Sequence, residues 1–108
     1  MEIAVVTGTS SGIGLATTLR LARSGYQVFA GMRNLAKAND LREIVESEKL
    51  PVEVIELDVT SDRSVAEAFA LVESAGPVDV LVNNAGIGGA SPLALTPDDE
   101  HRLIFETN

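Results

Sequence analysis

The chain has 108 residues, 45% of them apolar and 22% charged, which is enough for one small domain and too few for two. Sixteen acidic against eight basic residues leave a net charge of −8, which argues against a nucleic-acid partner, because that surface needs a basic patch. Cysteine is absent, so there is no disulfide framework or thiolate metal site and no metal is expected; no apolar run suits a membrane span or a signal peptide, and a soluble, cytoplasmic protein without a membrane partner is the expectation.

Strand-like and helix-like segments alternate along the chain. Glu2 to Thr7 reads as a buried strand, and Gly12 to Ser24 as a helix closed by Gly25, a residue suited to a left-handed cap. Gln27 to Gly31 is the second strand, rich in β-formers around Val28 and Phe29. Asn34 is placed to cap a helix reaching about Glu48, with Leu35, Ala38, Leu41, Ile44 and Val45 along one face. Pro51 stops any continuation, and Val52 to Leu57 forms the third strand. Thr60 or Ser61 caps the next helix, whose apolar stripe is Val65, Ala68, Phe69 and Val72; Gly76-Pro77 then turns the chain into a fourth strand, Val78 to Val82. Beyond a glycine-rich loop from Gly86 to Ala90, Thr96-Pro97-Asp98-Asp99 opens a last helix, in which Leu103, Ile104 and Thr107 continue the period. This alternation with short loops implies an α/β fold, a doubly wound parallel sheet of about four strands and four helices.

The stretch Thr7-Gly8-Thr9-Ser10-Ser11-Gly12-Ile13-Gly14 joins the first strand to the first helix. Gly8 lets the chain leave the strand sharply, Gly12 leaves no side chain between backbone and a phosphate, and Gly14 lets the helix approach the sheet. The helix start offers unpaired N–H groups and a positive dipole end, with the Ser10 and Ser11 hydroxyls beside them. A glycine turn can also serve sterics alone, so both readings stand at this point. The net negative charge does not exclude a phosphate ligand, because a diffuse field is screened beyond about 8–10 Å.

The end of the second strand bears on which nucleotide fits. An acidic side chain there holds a free ribose 2′-hydroxyl, whereas a 2′-phosphate needs a cation. Ala30-Gly31-Met32-Arg33 has no carboxylate, and Arg33 can fork onto a phosphate, so NADP(H) is preferred over NAD(H). Asp58 at the end of the third strand is placed either to accept from an adenine amino group or to cap a helix. Asn83 and Asn84 after the fourth are either turn residues or amides beside a ribose.

Thr7 to Gly14, then Asp58-Val59, then Asn83-Asn84-Ala85-Gly86, in this order, resemble the short-chain dehydrogenase/reductases, and the resemblance covers the whole chain. The turn Ala30 to Asn34 and the run Val78 to Val82 look most like the branch of hydroxysteroid- and retinol-dehydrogenase-like enzymes. The resemblance implies a Rossmann-like fold and interconversion of a small-molecule alcohol and carbonyl by hydride transfer. It implies that Gly8, Ser10, Ser11, Gly12, Ile13 and Gly14 hold the pyrophosphate and ribose, that Arg33 meets the 2′-phosphate, and that Asp58 and Val59 meet the adenine. It further implies that Asn84, Ala85 and Gly86 line the adenosine ribose while Asn83 braces the sheet. Asn108 matches the asparagine that helps hold a water in the family's proton relay.

The family's acid/base work is done by a serine and a Y-x-x-x-K motif, and here the chain departs from it. Tyr26 is the one tyrosine, with Ala30 four residues on, and it reads as structural; Lys37 and Lys49 flank a surface helix; no serine follows Ser91; and His101 has no partner at catalytic spacing. The expectation is therefore residues 1–108 as the cofactor-binding half of such an enzyme, inactive alone and a homo-oligomer when complete. A non-catalytic NADP(H)-binding or redox-sensing module is the alternative. With the family order 3-2-1-4-5-6-7, the fourth strand is expected to present an unpaired apolar edge, which favours association of the isolated chain. A P-loop nucleotidase is excluded by Ile13-Gly14-Leu15, where it needs G-K-[ST], and a methyltransferase, which normally keeps an acid after the second strand, is disfavoured by Met32-Arg33 there.

Overall fold

The computed structural model describes residues 1–9 and 12–84 in full and the backbone of residues 102–105. Five strands form one parallel sheet in the order β3-β2-β1-β4-β5: β1 is Ile3–Thr7, β2 Gln27–Met32, β3 Val52–Glu56, β4 Val80–Asn83 and β5 Arg102–Phe105. Among the described residues three α-helices connect the first four strands, α1 from Gly12–Arg23, α2 from Asn39–Glu48 and α3 from Asp62–Glu73.

The alternation of side chains across a strand divides the core into two faces. Ile3 and Val5 of β1, Phe29 of β2, Ile55 of β3 and Leu81 of β4 point to one side and pack against Ala68 and Val72 of α3. Ala4 and Val6, Val28, and Val80 and Val82 point to the other, where Ala22 of α1 meets them. Ala30 and Met32 continue that second face toward Leu19 of α1 and Leu41 of α2. Val5, Val6, Val28 and Leu81 have no solvent exposure, and each such side chain contributes about 1.5–3 kcal/mol of hydrophobic stabilisation. With both faces covered the inner strands β1 and β4 are apolar along the runs Ile3–Val6 and Val80–Val82, whereas the edge strand β3 exposes Glu53 and Glu56. Tyr26 packs at the edge of the second cluster, in keeping with a structural role.

Turn chemistry sets the ends of the elements. Gly25 adopts φ +100 just past α1, and Ser61 Oγ accepts from Ser64 N at 3.2 Å to cap α3. Asp79 locks β4 to the start of β1, its N–H donating to Ile3 O at 2.9 Å and its Oδ2 accepting from Ile3 N at 2.8 Å.

Two expectations need correction. Asn34 does cap, its Oδ1 accepting from Ala36 N at 3.0 Å, but what it caps is a 3-10 turn, Leu35–Lys37. α2 starts afresh at Asn39, after Ala38, so the expected helix is in two pieces. Ala38 and Leu41 are buried from that stripe, while Leu35 stays exposed. Secondly, residues 102–105, expected inside a last helix, form a strand that pairs Val80 with Arg102 through Asn83 with Phe105. The apolar rim of β4 is therefore not unpaired, and the described residues hold five strands and three α-helices of the expected doubly wound parallel sheet. The run Leu103-Ile104-Phe105 is as good a β-former as a helix face, and an adjacent strand with free N–H and C=O groups decides between the two. The opening of that expected helix, Thr96 to Asp99, lies outside the described residues.

Candidate functional site

The strand order reverses between β1 and β4, since β2 and β3 lie to one side and β5 to the other. In an open parallel sheet, ligands bind beyond the carboxyl ends of the strands at such a reversal. The turn after β1 and the asparagines closing β4 both lie there.

Gly8 leaves β1 with φ +66 and Gly12 starts α1 with φ +63, a left-handed conformation that costs most residues about 1–2 kcal/mol. A Cβ on Gly12 would meet nothing within 4 Å among the described residues. A Cβ on Gly14 would stand 2.0 Å from Gly8 O and 2.7 Å from Asn84 Nδ2, so only glycine lets α1 approach the turn. The first turn of α1 contains no acidic residue, while α2 and α3 carry Asp40 and Asp62 in theirs. The positive pole of α1 is thus left uncompensated by its own side chains, and its last turn carries Arg20 and Arg23 at the negative pole. Ile13, 46% exposed at this tip, offers an apolar surface beside it.

Hydroxyls and amides behind the glycines hold the turn. Thr7 Oγ1 donates to Asn83 Oδ1 at 3.1 Å and accepts from Asn84 N at 2.9 Å, tying the end of β1 to the end of β4. Asn84 Nδ2 lies 3.4 Å from Gly8 O, and Asn84 Oδ1, fully buried, has no partner among the described residues. A buried acceptor of that kind costs free energy until a donor reaches it. Thr9, fully buried, donates from its N and its Oγ1 to Gly31 O, at 3.2 and 3.1 Å. Sequence reasoning credited this stretch to its glycines and serines and passed over Thr7 and Thr9. The signal available was a threonine on either side of Gly8, each within reach of a strand end.

At the neighbouring strand ends, Arg33 is exposed just after β2, and Asp58 follows β3. Thr60 donates to Asp58 Oδ1 from its hydroxyl at 2.6 Å and from its N at 3.0 Å. The Thr60 hydroxyl first, then its backbone N–H, hold the Asp58 carboxyl below the usual carboxylate range, and the Arg33 guanidinium adds in the same direction. Asp58 is therefore an ionised acceptor at neutral pH. Of the sequence alternatives for it, the helix cap falls instead to Ser61, and Asp58 builds the turn that leads to α3. A depressed folded-state pKa contributes stability above the unfolded value of about 3.9 and loses it as pH falls through the folded value. Asp58 is expected to titrate by NMR with a midpoint below about 3.9, and Thr60→Val to move that midpoint upward. The stability difference between the two proteins should then vanish in acid; an unmoved midpoint would refute the role given to Thr60.

The structure thus brings Gly8, Gly12, Ile13, Gly14 and Asn84 to one reversal point, with Arg33, Asp58 and Val59 at the ends of the adjoining strands. Ser10, Ser11, Ala85, Gly86, His101 and Asn108 lie outside the described residues. Among the described residues there is no group of three His, Cys, Asp or Glu side chains able to hold a metal, and no helix long and apolar enough to cross a membrane.

Comparison with known proteins adds an independent line. A family model described as short chain dehydrogenase matches residues 2–108. An uncharacterized oxidoreductase of Myxococcus xanthus is 42% identical over 106 residues, covering 97% of this chain and 42% of that protein. Bovine retinol dehydrogenase 8 is 43% identical over 109 residues, covering 96% of this chain and 34% of its own length. Among solved structures, an actinorhodin polyketide ketoreductase with NADPH superposes with a TM-score of 0.75 at 35% identity, over 92% of this chain and 38% of that one. A hydroxysteroid dehydrogenase from Escherichia coli gives 0.74 at 29% identity, over 91% and 42%. The chain spans less than half the length of each of these proteins.

Proposed function

Since the chain belongs to the short-chain dehydrogenase family, we propose that residues 1–108 form the cofactor-binding half of an NADP(H)-dependent oxidoreductase that interconverts a small-molecule alcohol and a carbonyl. The observation that carries the reading is the tip of α1: no described residue within 4 Å of a Cβ at Gly12, no carboxylate in the first turn, and a left-handed Gly8 at the exit of β1. Unpaired N–H groups at such a tip receive a pyrophosphate through hydrogen bonds and through the helix dipole. Ser10 and Ser11 would add hydroxyl donors, and Ile13 would lie against the ribose. Asn84 Oδ1, buried and without a partner among the described residues, supplies an acceptor at the same place, and Asn84 with Ala85 and Gly86 would line the adenosine ribose.

The dinucleotide, when bound, would carry the hydride, giving it to a carbonyl in its reduced form or taking it from an alcohol in its oxidised form. Everything else falls to the protein, and the residues at hand bind and orient. Arg33, exposed after a strand end that lacks a carboxylate, would pair with the 2′-phosphate; Asp58, held ionised by Thr60, would accept from the adenine amino group while Val59 packs against the ring. Proton transfer needs the serine, tyrosine and lysine that the family uses, and none of this chain's residues matches them; Asn108 would take the asparagine position of the relay. The substrate pocket and most of the acid/base machinery are accordingly proposed to lie in a part of the protein outside residues 1–108.

The test is fluorescence titration of the full-length protein with NADPH and NADH. Saturable binding of both is expected, with NADPH tighter by about tenfold or more, the worth of one charge-assisted phosphate contact. Absence of binding would remove the oxidoreductase reading, and tighter NADH would remove the NADP(H) preference.

A further inference from the structure

Thr9 is fully buried, yet it is polar, and its hydroxyl serves an oxygen that is already served. The Thr9 N–H donates to Gly31 O at 3.2 Å, extending the ladder between β1 and β2 one bond past the Thr7–Gly31 pair. The hydroxyl donates to the same oxygen at 3.1 Å, so both acceptor positions of that carbonyl are taken. Two donors on one carbonyl fix the plane of the peptide joining Gly31 to Met32. The next carbonyl is held as well, because Leu57 N donates to Met32 O at 3.0 Å. Gly31 also abuts Leu57 so closely that a Cβ there would stand 2.7 Å from Leu57 Cδ2. The chain therefore leaves β2 from a dipeptide clamped by the glycine turn on one side and by the end of β3 on the other. The next residue is Arg33.

We infer that Thr9 is a positioning residue: its hydroxyl registers Arg33 against the phosphate-binding turn and so sets discrimination between the phosphorylated and unphosphorylated dinucleotides. The inference rests on the NADP(H) reading above. Arg33 touches only the 2′-phosphate in that reading, whereas Gly8, Gly12 and Gly14 serve both cofactors alike. Loosening the peptide before Arg33 thus weakens NADPH and spares NADH, which is the signature that separates positioning from bulk stability.

Thr9→Val keeps the volume and leaves Gly31 O paired with the backbone N–H, so the protein is expected to fold. Thr9→Ser keeps the donor. In the full-length protein, Thr9→Val is expected to raise the NADPH dissociation constant about fivefold, the loss of one modest hydrogen bond, with NADH changed by less than about twofold and Thr9→Ser close to wild type. A second readout needs no ligand: exchange of the Met32, Arg33 and Asn34 amides should quicken in Thr9→Val while amides of α3 stay unchanged. Equal weakening of both cofactors, no weakening, or failure of serine to restore the wild-type ratio would overturn the inference while leaving the family reading intact. Unchanged exchange at 32–34 would overturn it too. A wild-type protein that binds both dinucleotides equally would instead overturn the NADP(H) preference, and the positioning role would fall with it.

Discussion

Gly14→Ala is expected to destabilise the protein by at least about 3 kcal/mol, at the upper end of overpacking effects, and to abolish dinucleotide binding. The added Cβ would meet Gly8 O at 2.0 Å and Gly8 C at 2.8 Å, both backbone, with Asn84 Nδ2 at 2.7 Å. Backbone atoms cannot rotate aside as a flexible side chain does, so α1 must shift away from the turn. That shift would pull on Thr18, whose hydroxyl donates to Gly14 O at 2.9 Å, and on Leu19 and Ala22, which seal the second core face. Gly12→Ala makes the informative contrast. No described residue crowds its Cβ, and its positive φ costs about 1–2 kcal/mol. It should fold with a modestly lowered urea midpoint yet lose affinity for NADPH, because the methyl occupies the space the phosphates need. Urea unfolding and cofactor titration on the two variants separate these effects. A Gly14→Ala protein as stable as wild type would show that α1 does not sit as closely on the turn as the structure has it.

Much of the fold is legible in periodicity because both faces of the sheet are covered. Runs such as Ile3–Val6 have to be apolar throughout, and α3 shows its stripe at Ala68 and Val72 with Ser61 as its cap. What periodicity misjudges is decided by single hydrogen bonds or by neighbours distant in sequence. Asn34 reads as a helix cap because its side chain does cap, but the local geometry closes after one 3-10 turn and α2 begins again beyond Ala38. Leu103 to Phe105 suits helix and strand equally, and the free edge of β4 decides the matter. The site divides in the same way. Gly8, Gly12 and Gly14 are visible because backbone freedom leaves a composition signature. The Thr7, Thr9 and Asn84 contacts are not, since threonine and asparagine are common and only the tertiary arrangement places them around Gly8 and Gly31.

Arg33→Ala is the second substitution of large expected effect, and its force lies in selectivity. The side chain is exposed and belongs to none of the core clusters, so the fold should be unaffected, with a melting temperature close to wild type. A hydrogen-bonded contact between guanidinium and phosphate contributes about 1.5–3 kcal/mol, which corresponds to roughly 10- to 100-fold in affinity for NADPH. NADH has no 2′-phosphate and should lose little. The small change it does undergo is expected to arise at Asp58, whose carboxyl pKa should rise when the guanidinium that helps lower it is removed. Lysine at this position should recover part of the NADPH affinity, because it restores the charge without the planar fork. Measuring both dissociation constants for wild type, Arg33→Ala and Arg33→Lys at fixed ionic strength decides the matter. Salt screens an exposed pair, so the difference between wild type and Arg33→Ala should shrink as ionic strength rises. Losses of equal size for the two cofactors would move Arg33 from reading the 2′-phosphate to shaping the loop, and would leave the choice of nicotinamide cofactor to residues elsewhere in the turn.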